Sequence, residues 1–265
     1  MTFGSGLGVH TLDLPQGNTQ ASIKRPNSLH GCRFCTIAST SWLDSKFDTL
    51  KSGRYELVTR RLLKELQDRP TESERQIFAR QHGLNTKTPH LFETLVFDRH
   101  LQIPIDPAHC LCQGLDSVLL EATISFMSGA GRDKFAGLIR QLDLPRGWPR
   151  FQDPIHHFKS YFFCDLARLI MVGPLVLVQL SEVDFTRSCL QSLKVDLGLR
   201  SLSQAYHQVL ECWVQLASTS AKVFASEVLS YEDLHDCVIT LVRQLAAVCF
   251  KFDFLYSAYH IDLIE

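Results

Sequence analysis

Apolar residues recur at three- and four-residue steps in several separate stretches of this chain, and that spacing places them along one side of an α-helix. Tyr55, Val58, Leu62 and Leu66 form one such stripe, with Arg60, Arg61, Lys64 and Glu65 opposite, and a helix ending near Pro70 is expected. Leu202, Tyr206, Val209, Trp213 and Leu216 form a second stripe; Leu234, Val238, Leu241, Leu245, Val248 and Phe252 form a third. Thr71-Glu-Ser-Glu74 is a capping box and Gly83 offers a left-handed C′ position, which together predict a short helix over 72–82. The segment from His109 to Met127 suits a buried helix that Gly129-Ala-Gly131 stops. The expected fold is therefore mainly α, with at most a minor β component hinted at by Val9 to Leu14.

The chain has 265 residues, enough for one large domain or two small ones. Its 45% apolar and 21% charged residues exclude a disordered or fibrous protein. Three regions are read: an irregular segment 1–46, a helical region 47–142, and a C-terminal helical region 143–265 that opens on the Pro-rich connector 143–154. The formal net charge is -1, yet residues 1–160 carry 20 Lys/Arg against 16 Asp/Glu and residues 181–265 carry 6 against 11, so an anion would meet the first part and be repelled by the last. No stretch reaches the roughly 20 apolar residues of a membrane helix; the greasiest run, Leu169 to Leu180, is interrupted by Gly173-Pro174. A signal-peptide pattern is missing from the first residues, so the expected location is intracellular, in the nucleus rather than the cytoplasm, with no membrane partner.

Nine cysteines are then read as thiols. Cys164, Cys189, Cys212, Cys237 and Cys249 sit among Phe, Leu and Val and are expected in the core. Cys32-Arg-Phe-Cys35, preceded by His30-Gly31, differs: two thiolates three apart on a tight turn can reach one zinc ion at about 2.3 Å. A second ligand pair is required, and Asp106-Pro-Ala-His109-Cys110-Leu-Cys112, with His100 nearby, collects the donors for it. The motif reads about as well as a metal-free turn, and less well as a redox pair, since no thioredoxin-like βαβ pattern surrounds it. Among the acids, Asp13 follows the strand hint and Asp165 lies in an apolar segment, as a metal-holding carboxylate or as a helix residue facing water or Arg168. Arg60, Arg61, Arg99 and Arg132 could meet phosphates, or simply solvate a helix surface, whereas His156-His157 reads as a solvated pair. Phosphate-binding loops, dinucleotide fingerprints and hydrolase elbows are not found.

Taken in order, Asp13-Leu-Pro15, Gly31-Cys32-x-x-Cys35, Pro104-Ile-Asp106-x-x-His109 and the Asp165 segment running into Gly173-Pro174 resemble the later part of a eukaryotic DDE-type transposase. The group it resembles is the fungal CACTA and Kyakuja/Dileera/Zisupton-like proteins, over roughly residues 11–180. The resemblance implies an incomplete RNase H-like core with a large helical insertion. It makes Asp13 the second catalytic aspartate and Asp165 the third acid, where the family usually has glutamate. It also makes Cys32, Cys35, Asp106 and His109 the metal ligands, and DNA the partner. The family's first catalytic aspartate has no counterpart in the twelve residues before Asp13, so the expectation is a catalytically inactive, transposase-derived protein that binds zinc and associates with nucleic acid. Two alternatives stand beside it. One is a metal-free helical module binding a protein partner through 202–216 and 234–252; the other is an intact strand transferase or nuclease using Mg2+ or Mn2+.

Overall fold

A computed structural model describes residues 12, 14–25, 28–41, 44, 47–48, 51–87, 98–103 and 106–225. They are mainly helical; strand-like pairing among them is confined to isolated bridges, so the mainly α expectation is met. The chain divides into two compact units, Met1–Asp106 and Pro107–Glu265, and the 143–154 connector lies within the second. Asp13, most of the strand hint, the third apolar stripe, Cys237 and Cys249 lie outside the described residues.

The first unit contains α1 (Leu14–Gln20), α2 (Glu56–Gln67) and α3 (Glu72–His82). Helix α3 has the predicted bounds for the predicted reasons: the Thr71 hydroxyl accepts from the Glu74 N–H at 3.2 Å, and Gly83 sits at φ 67°. Helix α2 forms where expected but turns its stripe by one residue. Thr59, Leu63 and Leu66 are buried, while Tyr55 and Val58 are exposed. The reason is the neighbouring core, where Leu63 and Leu66 pack with Phe78, Ala79, Ile23 and Leu84. A single antiparallel bridge, Ile23 to Leu84, ties the end of α1 to the end of α3.

The second unit opens with a π-helical segment, Ala108–Asp116, which runs straight into α4 (Ser117–Phe126). The expected single buried helix is thus a wider coil followed by a regular one. Gly129 to Gly131 do not merely stop it; they begin α5 (Gly129–Gln141). Ser128 caps α5 by accepting from the Gly131 N–H at 3.1 Å, and a Cβ on Gly131 would stand 1.8 Å from the Asp184 carbonyl oxygen. The glycine answers a close tertiary approach, which sequence spacing does not reveal.

Helix α6 (Phe163–Leu177) continues through Gly173-Pro174, and α7 (Arg187–Asp196) and α8 (Leu202–Val223) follow. Of the 202–216 stripe, Tyr206, Val209, Trp213 and Leu216 are buried as expected and Leu202 is partly so, and α6 and α8 pack together. At their contact Gly173 leaves room for the Trp213 ring, whose Nε1–H donates to Thr123 Oγ1 at 2.8 Å. The Tyr206 hydroxyl donates to the Leu177 carbonyl at 2.6 Å and satisfies an end-of-helix acceptor of α6. Of the cysteines expected in the core, Cys212 is buried, Cys189 is partly so and Cys164 is exposed. Cys164 fails the expectation because it falls on the outer side of α6, away from the buried Leu166, Leu169 and Ile170. Among the described residues no helix is long and apolar enough to cross a membrane.

Candidate functional site

The C-x-x-C motif lies in the first unit on a tight turn outside any helix. Cys32 is half-buried and Cys35 buried, with their sulfurs 3.4 Å apart and the Cys35 thiol donating to Cys32. Cys35 pairs across an antiparallel bridge with Gly53, and the Thr36 N–H donates to the Ser52 carbonyl at 2.9 Å.

What distinguishes this turn is the treatment of its carbonyls. Five in succession each accept a hydrogen bond from a residue distant in sequence. Arg54 Nη2 donates to the His30 oxygen at 3.0 Å, Asn18 Nδ2 to Gly31 at 2.7 Å and Arg54 Nε to Cys32 at 2.8 Å. His100 Nδ1 donates to Arg33 at 2.8 Å and the Arg54 backbone N–H to Phe34 at 2.8 Å. The remaining arm of Arg54 reaches the His82 carbonyl at 3.0 Å, so one guanidinium fastens the turn to the end of α3. Gly83 is required there: its left-handed backbone favours glycine, and a Cβ would fall 2.0 Å from the His30 oxygen.

The chemistry of the pair follows from this frame. The Cys32 thiol is pulled down to about 6 by the Cys35 thiol that donates to it; burial pushes the other way, while the Phe34 and Cys35 N–H groups and the Arg54 charge assist. The same contact and burial push Cys35 up, so the pair shares one proton held on the buried sulfur. A low-pKa thiol is nucleophilic and a good soft-metal donor.

The other proposed site residues have varied settings. His100 is buried and serves the turn: its Nδ1–H goes to the Arg33 carbonyl, which leaves Nε2 to accept from Thr59 Oγ1 at 2.8 Å. Burial holds it neutral, down to about 4. Arg99 is buried, its guanidinium on both carboxyl oxygens of Glu56 at 2.8 and 3.0 Å, so it organises the unit's interior. Arg60 shares that carboxylate and Arg61 stands 3.7 Å from Glu65, both on the exposed side of α2. Burial opposes ionisation of Glu56, but the Arg99 and Arg60 hydrogen bonds outweigh it and hold the carboxyl below its ordinary value.

In the second unit, Asp165 caps α6: its Oδ2 accepts from the Phe162 N–H at 3.1 Å and Oδ1 lies 3.6 Å from Arg168. That accounts for an acid in an apolar segment. His109 stacks edge-on against Phe163, with ring centroids 5.0 Å apart, and Asp106 is half-buried. His156 is exposed beside Asp153, in keeping with a solvated pair. Among the described residues no group of three or more His, Cys, Asp or Glu side chains gathers so as to hold a metal ion.

Spacing finds the dithiol, but it misses Asn18, Arg54 and His100 as the donors that fix it, since their roles depend on contacts 13 to 67 residues apart. Comparison of the chain with protein-family models, curated proteins and solved structures gives no match.

Proposed function

We propose that this is a transposase-derived protein whose first unit carries a zinc-binding dithiol and associates with nucleic acid. The supporting observation is the fixed 3.4 Å separation of the Cys32 and Cys35 sulfurs. Two sulfurs each about 2.3 Å from a tetrahedral zinc ion stand about 3.8 Å apart, so small side-chain rotations convert the thiol pair into half of a zinc shell. The depressed Cys32 supplies one thiolate readily, and zinc displaces the proton that Cys35 holds. The resemblance alone names the RNase H-like core as the setting. Arg60 and Arg61 are the basic groups proposed to meet phosphate.

Elemental analysis of the purified chain tests the reading. One zinc per chain is expected in the unsubstituted protein and none in a Cys32→Ser, Cys35→Ser double variant. Equal, negligible zinc in both removes the metal from the account.

A further inference from the structure

The sulfur pair has the attributes of an exchange site as well as of a chelate. A disulfide needs its sulfurs about 2.05 Å apart with suitable side-chain torsions, and here the two sulfurs already stand in contact at 3.4 Å. The backbone that carries them is held in place, because all five carbonyls from His30 to Phe34 accept hydrogen bonds from outside donors. The two residues also differ in overall exposure. Cys35 is only 5% exposed, whereas Cys32 is half-buried and accepts the hydrogen bond. Residue exposure and the accepted hydrogen bond together favour Cys32 as the attacking sulfur.

We propose that Cys32 and Cys35 form a two-electron thiol–disulfide couple that exchanges with small-molecule disulfides of the glutathione type. The Cys32 thiolate attacks one sulfur of glutathione disulfide; a Cys32–glutathione bond forms, the glutathione S–S bond breaks, and one glutathione leaves as thiolate and takes up a proton. The Cys35 sulfur then attacks Cys32, its proton passing to the second departing glutathione. Two protein thiols are oxidised and one glutathione disulfide is reduced to two thiols. Fixing the two sulfurs side by side makes the second step intramolecular, so the mixed disulfide is short-lived. The couple needs the two thiols alone, so it stands apart from the zinc reading.

The test treats the purified full-length chain with glutathione disulfide in the presence of a chelator, blocks the remaining thiols, digests with trypsin and maps the products by mass. Trypsin cuts after Arg33, between the two cysteines, so an internal disulfide holds two tryptic peptides together until reductant separates them. The linked pair is expected from the unsubstituted protein. Cys35→Ser is expected to accumulate a single glutathionyl group on Cys32, and Cys32→Ser to leave Cys35 unmodified until the protein is denatured. Separate, unlinked peptides from the folded unsubstituted chain would overturn the proposal, as would Cys35 reacting ahead of Cys32 in the folded single variants.

Discussion

Arg54 and Asp116 show two opposite ways of keeping a charged residue out of water. Arg54 spends all three guanidinium nitrogens on carbonyls, and its burial lowers its pKa, while the Cys32 and Cys35 sulfurs beside it favour its charge. Asp116, at the junction of the π-helical segment and α4, is fully buried without such support. Burial pushes its carboxyl up to about 8, against the pull of the Cys112 thiol one turn earlier. A folded-state value raised above the unfolded one means that the folded chain retains the proton longer. The associated stability is complete below about pH 4 and drains away as pH rises toward 8, at up to about 1.4 kcal/mol per pH unit. Denaturant unfolding across pH 4–9 is expected to show that slope in the unsubstituted chain and its flattening in Asp116→Asn; identical slopes in both would place the group elsewhere. Asp165, by contrast, reads as an anomaly in the sequence because it stands alone among apolar residues, and the structure resolves it as a helix cap.

At the scale of elements, the legible parts are those set by near neighbours. Thr71, Glu74 and Gly83 specify α3 within a dozen residues, and the 202–216 stripe specifies the buried side of α8. The illegible parts are set by distant partners. Gly129 to Gly131 look like a stop until the Asp184 carbonyl is seen to require Gly131 at a helix start. The π-helical coil over 108–116 has no residue pattern that sets it apart from the regular helix that follows it. Gly173 belongs to the same class, since its neighbour in space is Trp213, forty residues on. A Cβ there would stand 2.3 Å from two ring carbons. Gly173→Ala gains up to about 1 kcal/mol of helix propensity and loses about 1–3 kcal/mol through overpacking. A net fall in the midpoint of chemical unfolding is the expected result; a rise would show that α6 and α8 yield at this point.

Over the whole chain, the two compact units differ in what they are built around. The first holds the dithiol turn and the Arg60 and Arg61 side of α2, while the second is built around apolar helix contacts such as Gly173 on Trp213. Charge follows the same order, with the basic excess in residues 1–160 and the acidic excess in 181–265. Fold class and the dithiol were visible in the order of residues, because both rest on spacing. The frame that fixes the dithiol was not, because Asn18, Arg54 and His100 reach it from three separate places in the chain. X-ray absorption at the zinc edge of the metal-loaded full chain addresses the central claim directly. The account predicts two sulfur scatterers at about 2.3 Å that disappear in the double serine variant; a zinc shell of nitrogen and oxygen alone would contradict it.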